Sequence, residues 1–365
     1  MIFLDHNSTT NISKAATAKM LEVFALPLNA SSVHEYGRIA QKYLNEARKK
    51  VKEKLNANNY EIIFTSGASE SNNTILAGFN GKEILISALE HSSILNFKNS
   101  QKEINYFGVL ENSLANLDNL NKQIKPNSLI CLCLANNESG AVQNVKEAAK
   151  IVHQNHALIH CDLSQAIGKI KVDLEELNVD FAAFSGHKFG AAQGVGVALV
   201  RKGLELSPLI FGGGQEGSKR AGTQNIAAIA SLSVALDEVE ERILKQKEVL
   251  ILRDFLEEEL VKIAKNEIEI FAKDVKRLSN TSYFALRNVK AESALINFDL
   301  NKIFISSGSA CSSGSVSKSK LLQEIKIKED FLNGALRVSL GIETTKTEIE
   351  KFLAIFKEFY QRQLN

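Results

Sequence analysis

Residues 179–190 read VDFAAFSGHKFG. The first half of this stretch is mostly apolar and predicts a buried strand, and the Ser-Gly pair after it predicts a tight turn. His187 and Lys188 follow the turn, so a strongly hydrated amine stands at the mouth of a buried strand. Ligands bind outside the carboxyl ends of the strands in an open α/β sheet. We therefore expect Lys188 to belong to a binding site.

Short apolar and β-branched runs resembling this one recur along the first 200 or so residues. They lie at 61–67, 83–91, 129–138, 157–162, 179–188 and 194–202. Helical patterns such as residues 145–156 separate several of them, and this alternation predicts an α/β fold with a mostly parallel mixed sheet flanked by helices. Residues 226–264 are amphipathic without a helix breaker and predict one or two helices.

The segments beyond these helices predict a smaller α+β domain, and the length of 365 residues suits two domains. We predict a large domain over 15–250. Residues 1–14 and 251–365 would form the small domain.

Composition narrows the classes of function. A net charge of only +2, with acids and bases interspersed, argues against a nucleic-acid-binding protein. No apolar run approaches the roughly 18 residues that a membrane span needs, and the first residues do not match a secretory signal. Four cysteines in a chain of this length favour a reducing cytoplasm over a disulfide framework.

Polar side chains follow several predicted strands. The turn at 66–69 could hold a phosphate on the N–H groups of the helix it opens, or Ser66 or Ser69 could simply cap that helix. His91 and Asn137 follow two further strands, and a surface histidine and an asparagine turn are the alternatives there. Asp162 ends a strand that should be buried, so its carboxylate needs a cation or hydrogen-bond donors.

An ion pair between Asp162 and Lys188 would satisfy that need, but a cofactor accounts for all four positions together. Pyridoxal phosphate requires a lysine that forms a Schiff base with it and an acid beside its ring nitrogen. It also requires a phosphate site and a ring stacked on its face. Lys188, Asp162, residues 66–69 and His91 could supply these in turn.

Longer motifs carry a family resemblance that runs nearly the length of the chain. They read FLDHNSTT (3–10), NASSVHEYGR (29–38), IIFTSGASESNN (62–73), ANNESGAVQ (135–143), HCDLSQAIGK (160–169), SGHK (185–188), GGGQEGSKRAGT (212–223), SSGSACSSGS (306–315) and LRVSLG (336–341). In this order they resemble the NifS/IscS-like cysteine desulfurases of the class V aminotransferase family. The resemblance implies the pyridoxal-phosphate-dependent transferase fold type I and pyridoxal 5'-phosphate as cofactor.

The resemblance also implies a role for each matching residue. The cofactor phosphate would be held by Ala68, Ser69, Ser185 and His187, and that of the neighbouring subunit by Thr223, which implies a homodimer. The pyridoxal ring would be contacted by His91, Asn137, Asp162 and Gln165. The catalytic residues would be Lys188, His91 and Cys311. Arg337, with Asn137, would bind the substrate carboxylate.

Cys311 has support of its own, because eight of the fourteen residues 306–319 are serine and predict a flexible, exposed segment. An inert linker is the alternative. Cys131, Cys133 and Cys161 lie in or beside apolar strands and read as small buried hydrophobes, and the cysteine spacing predicts no metal site.

The implied reaction converts L-cysteine to L-alanine and leaves a persulfide on Cys311 for a sulfur-acceptor protein, such as an iron–sulfur scaffold or a tRNA-thiolation protein. A selenocysteine lyase, another class V aminotransferase and a non-catalytic, cofactor-binding sulfur-relay protein are the alternatives. The sequence departs from the family at 190–194, at Phe211 and at 316–320. These departures bear on the acceptor and on the rate.

Overall fold

The computed structural model describes residues 1–307 and 319–363. The strands are β1 (Ile2–Phe3), β2 (Tyr60–Thr65), β3 (Glu83–Ser87), β4 (Glu103–Phe107), β5 (Leu129–Cys131), β6 (Leu158–Asp162), β7 (Phe181–Ser185), β8 (Gly196–Arg201), β9 (Ile268–Ile270), β10 (Thr281–Leu286), β11 (Ile303–Phe304) and β12 (Ala335–Ser339). The α-helices are α1 (Lys14–Phe24), α2 (Glu35–Leu55), α3 (Ala68–Gly78), α4 (Ser92–Leu95), α5 (Leu117–Gln123), α6 (Val145–Gln154), α7 (Leu174–Leu177), α8 (Ile226–Asp237), α9 (Val239–Ala264), α10 (Ala291–Leu300), α11 (Lys320–Glu324) and α12 (Lys346–Gln363). Among the described residues, no helix combines the length and apolar character needed to cross a membrane.

The largest sheet in the described part of the chain has seven strands, in the order β2-β8-β7-β6-β5-β3-β4. All of them run parallel except β8, which is antiparallel to its neighbours β2 and β7. The predicted mostly parallel mixed sheet is therefore confirmed. The sequence prediction missed the edge strand β4, in which only Phe107 is buried and no continuous apolar run occurs. The parallel strands place their carboxyl ends at one edge of the sheet.

Both faces of this sheet are buried, which explains why its strands read as continuous apolar runs. On β7, Ala182 and Phe184 join the core cluster that contains residues of α2, α6 and α8. Phe181 and Ala183 project to the opposite face, into the cluster with residues of α3. Helices thus cover the sheet on two sides and leave its carboxyl edge for the loops.

A second core, formed by residues of β10, β12, α9, α10 and α12, packs beside the large sheet. The rings of Phe298 and Phe352 stack in it with centroids 4.8 Å apart. Leu4 also belongs to this core, and β1 pairs with β11, so the amino-terminal residues pack with the carboxyl-terminal part of the chain. The amphipathic stretch 226–264 forms two helices, α8 and α9, as one of the two expectations had it. The domain limits at 14/15 and 250/251 stay a prediction.

Gly196 lets two segments of the future site approach each other. It pairs with Thr65 of β2 and with Ser185 of β7. A Cβ atom at this position would lie 2.4 Å from the carbonyl carbon of Gly67, closer than any real contact. The glycine therefore allows the turn at 66–69 to sit against β8, next to the end of β7.

Packing of the second core can be tested on one helix with one substitution. Leu256 in α9 is fully buried, whereas Leu244 in the same helix is 66% exposed. Leu256→Ala should lower the free energy of unfolding by about 2–5 kcal/mol because it leaves a cavity, and Leu244→Ala by roughly 0.5 kcal/mol or less. Urea denaturation followed by circular dichroism measures both. Equal losses would contradict the assignment of Leu256 to the core.

Candidate active site

A cavity of about 820 Å³ lies at the carboxyl ends of the parallel strands. It is lined by Ala68, Ser69, His91, Asn137, Asp162, Gln165, Ser185, His187, Lys188 and Arg337, all residues that the sequence analysis singled out. Arg337 comes from β12, in a small sheet with the strand order β12-β10-β9, so the cavity lies where the two cores meet. Its volume is within the range of sites that hold a cofactor or a small ligand.

Lys188 closes a short 3-10 turn, Gly186–Lys188, that follows β7 directly. Its Nζ donates hydrogen bonds to the backbone carbonyl oxygens of Asn7, at 2.7 Å, and of Ser8, at 2.6 Å. These carbonyls come from the amino-terminal segment, which the second core anchors. The amine is thereby held at the cavity wall by the meeting of two distant parts of the chain.

Asp162 is buried at the end of β6, and neutral donors hold its carboxylate. Asn72 Nδ2 donates to one oxygen at 2.8 Å, and the backbone N–H of Ser164 donates to the other at 2.8 Å. The amide oxygen of Asn72 lies 2.9 Å from His160 Nε2, so that nitrogen carries the imidazole proton. Burial lowers the pKa of His160 to about 4, so the imidazole that donates to Asn72 is neutral near pH 7.

The turn at 66–69 and the first turn of α3 form the rim of the cavity. The helix is capped by Gly67 without a side-chain hydrogen bond, so the alternative that Ser66 or Ser69 caps it is wrong. The first N–H groups of α3 have no acceptor within the helix and give this end a partial positive charge. His187, beside it, bonds to Thr9 Oγ1 at 3.0 Å, and burial together with the nearby Lys188 lowers its pKa to about 4.

His91 precedes the short helix α4 and lines the cavity. Its Nδ1 accepts the backbone N–H of Ser93 at 3.1 Å, so Nε2 carries the ring proton. Burial and the charge of Lys188 lower the pKa of His91, while Asp162 opposes them. The imidazole is therefore neutral near pH 7, with one N–H and no net charge.

Arg337 is almost fully buried, and its guanidinium is held on two sides. Nη2 lies 2.6 Å from Asp5 Oδ1, and Nη1 donates to the backbone carbonyl of Asn137 at 3.0 Å. A backbone bridge pairs Ser306 with Arg337, so the chain that leads into residues 308–318 runs alongside it. No role was predicted from the sequence for Asp5 or for Ser306.

Three further polar residues were also missed: Asn7, Asn72 and Lys169, all buried. Asn7 accepts Gln165 Nε2 on its backbone oxygen at 2.9 Å and Lys169 Nζ on its side-chain oxygen at 2.8 Å. Each of the three lies inside a quoted motif, yet nothing in the local pattern distinguishes it from a surface residue. Only their burial beside the cavity identifies them.

Two of the predicted residues are not among the described residues that line the cavity. Thr223 is exposed and outside the lining, so its predicted contact with the neighbouring subunit stays a prediction. Cys311 lies outside the described residues.

The remaining cysteines, Cys131, Cys133 and Cys161, are buried, as predicted. Burial raises the pKa of each thiol well above its usual value, with the carboxyl group of Glu90 as a second cause. Cys133 lines the cavity, but a thiol that stays protonated is a poor nucleophile. Over residues 1–307 and 319–363, no three His, Cys, Asp or Glu side chains gather to hold a metal ion.

Comparison with known proteins gives consistent results. The sequence profile of the family described as Aminotransferase class-V matches residues 2–352. The chain is 33% identical to cysteine desulfurase IscS of Methanosarcina thermophila, over 100% of this chain and 93% of that protein. The crystal structure of a NifS-like protein from Rickettsia africae superimposes with a TM-score of 0.91 at 34% identity, over 99% of each chain. SspA in complex with cysteine superimposes with a TM-score of 0.80 at 26% identity, over 94% of this chain and 100% of that one. These similarities confirm the fold predicted from the sequence.

Burial of His160 makes stability depend on pH. Its pKa is about 4 in the folded chain and near 6.5 when unfolded, so its contribution is complete above pH 6.5 and is lost as the pH falls towards 4. When the pH falls from 6.5 to 4.5, the free energy of unfolding should decrease in both proteins, and the decrease should be about 2 kcal/mol smaller in His160→Asn than in the wild type. Urea denaturation at both pH values measures this. His156→Asn, at an exposed histidine, is the control and should follow the wild type. An unchanged pH dependence in His160→Asn would contradict the lowered pKa of His160.

Proposed function

Because the chain belongs to the class-V aminotransferase family, we propose that it is a cysteine desulfurase, which binds pyridoxal 5'-phosphate and converts L-cysteine to L-alanine. The family resemblance inferred from the motifs is confirmed by these matches. One observation carries the proposal. A single cavity is lined by Lys188, Asp162 and Arg337, in a chain whose whole length is similar to cysteine desulfurases.

The residues of the cavity fit this cofactor. Proteins of the family depend on pyridoxal phosphate, which draws electrons from the α-carbon of an amino acid when it is bound. Asp162 provides a buried carboxylate for a pyridine N–H, held in place by Asn72 and Ser164. The partial positive charge at the start of α3 suits a phosphate. The residues that would hold the cofactor are Ala68, Ser69, His91, Asn137, Asp162, Gln165, Ser185, His187 and Lys188.

Lys188, His91 and Arg337 would handle the substrate. Arg337 binds the carboxylate of L-cysteine, for which its planar guanidinium is suited. The amine of Lys188, held at the cavity wall by two backbone carbonyl oxygens, accepts the proton from the substrate α-carbon. His91, neutral with its proton on Nε2, exchanges protons with the substrate thiol.

Cys311 would take the sulfur. Its thiolate attacks the sulfur of the substrate, so a new S–S bond forms while the C–S bond breaks. The substrate β-carbon gains a proton, and the products are alanine and a persulfide on Cys311. Cysteine and one thiol thereby give alanine and one persulfide, without an external oxidant. Burial of the other three thiols supports the assignment of this role to Cys311.

The persulfide would pass to a sulfur-acceptor protein, such as an iron–sulfur scaffold or a tRNA-thiolation protein. We also propose a homodimer in the cytoplasm. The exposure of Thr223, away from the cavity of its own chain, supports a role in the partner's phosphate site. An active monomer in sedimentation velocity at assay concentration would contradict the dimer.

Lys188→Ala should reduce alanine and sulfide release from L-cysteine by about 10³-fold or more, because the proton acceptor is lost. Product analysis of the wild type by chromatography and sulfide assay tests the activity itself. Lys171→Ala, at an exposed lysine, is the matched control and should keep full activity. A keto acid in place of alanine would indicate an aminotransferase, and turnover of L-selenocysteine alone would indicate a selenocysteine lyase. No product from either amino acid would favour the non-catalytic alternative.

Brief exposure to L-cysteine should add the mass of one sulfur to the peptide that contains Cys311, and reductant should remove it. Cys311→Ser should bind the cofactor yet show neither this mass nor sulfide release. Cys133→Ser, at the cavity wall, should keep the added sulfur on Cys311. Mass spectrometry of the digested protein measures all three. A persulfide on Cys131, Cys133 or Cys161 would disprove the role of Cys311.

A further inference from the structure

Lys169 is a buried lysine that the proposed reaction leaves without a task. It is only 9% exposed, and its Nζ donates to Gln165 Oε1 at 2.7 Å and to Asn7 Oδ1 at 2.8 Å. Gln165 lines the cavity, whereas Lys169 lies behind it, among the residues of a pocket of about 30 Å³ on the far side of Lys188. Lys169 therefore touches the cavity wall and not its contents.

The contact with Lys169 determines the orientation of the Gln165 amide, that is, whether its oxygen or its NH₂ group faces Lys169. A charged lysine can donate but cannot accept a hydrogen bond, so the amide oxygen must face Nζ and the NH₂ group must face the other way. There, Gln165 Nε2 donates one hydrogen to the backbone carbonyl of Asn7 at 2.9 Å. A flipped amide would set NH₂ against the Lys169 amine and one carbonyl oxygen against another. The second hydrogen of Nε2 remains for a ligand oxygen in the cavity.

This orientation does not depend on the charge of Lys169. Burial, then the charges of Lys188 and Arg337, lower the pKa of Lys169 well below its usual value. As an ammonium it has three hydrogens and as a neutral amine it has two, enough for both acceptors in either state. His6, whose pKa Lys169 lowers, and Arg242 line the same small pocket as Lys169.

We propose that Lys169 is a positioning residue that fixes the amide of Gln165 with an N–H towards the cofactor, so that Gln165 stabilises the anionic 3-oxygen of the pyridoxal ring. The inference rests on the proposed function, since it concerns the same cofactor. On the bound cofactor, the 3-oxygen would carry its fullest negative charge once the Schiff base with Lys188 had lost its proton. A donor at that oxygen therefore lowers the pH at which the bound cofactor's visible absorption changes.

The experiment titrates the visible absorption of the cofactor-loaded protein with pH, in the absence of substrate. Lys169→Met removes the donor and keeps the length of the side chain, and it should raise the pH midpoint by about 0.5–1 unit. Lys171→Met makes the same change at an exposed position two residues away, and it should leave the midpoint unchanged. Gln165→Leu should raise the midpoint as much as Lys169→Met does.

A double-mutant cycle separates positioning from a direct effect of charge. If Lys169 acts through Gln165, Lys169→Met should add no shift in a Gln165→Leu background. An equal shift in both backgrounds, or none in the wild type, would overturn the proposal. Thermal unfolding checks each variant, and if Lys169→Met does not fold, Lys169→Gln is judged by the same criteria. Wild-type protein that binds the cofactor but forms no alanine would refute the proposed function and leave this test intact.

Discussion

The hydrogen bonds of Asn7 hold together the parts of the chain that build the cavity. This side chain is 1% exposed, and each of its polar atoms has a partner, as does its backbone oxygen. The partners come from the turn after β6, the turn after β7, the loop after β5, and the small sheet: Gln165, Lys169, Lys188, Asn137, Asn280, Thr281 and Ser339. A buried polar group costs free energy when it loses a partner. Displacing any one of these segments would therefore leave a buried polar atom of Asn7 with fewer hydrogen bonds.

The cavity that results favours anions. Lys188 and Arg337 lie in its wall, Lys169 lies behind it, and the start of α3 adds a partial positive charge. The acidic groups in or beside the wall already have partners: Asp5 pairs with Arg337, Glu70 pairs with Arg220, and Asp162 accepts from Asn72. Burial keeps the imidazoles of His91 and His187 neutral there, so they add hydrogen-bonding groups without further charge. A phosphate and a carboxylate are the ligands that such a balance suits.

The position of Arg337 shows why the second core matters to this site. Its strand, β12, pairs with β10 and packs on α12, far along the chain from the large sheet. Asp5, on the amino-terminal segment that the same core anchors, holds its guanidinium. The end of the cavity that Arg337 lines therefore depends on packing between Leu4, Phe352 and their neighbours, although none of these residues lines it.

The sequence by itself determined the mixed sheet, the strand-end positions of Asp162 and Lys188, and the family. Apolar runs, breakers and motifs are local signals, and the carboxyl ends of parallel strands must meet at one edge. The tertiary structure alone decided the partners. Asn72 holds Asp162 across 90 residues of sequence, Lys169 orients Gln165 inside a wall, and Gly67 caps a helix that serine could have capped. Such pairings depend on which buried donors and acceptors come within hydrogen-bond distance, and no local pattern carries that information.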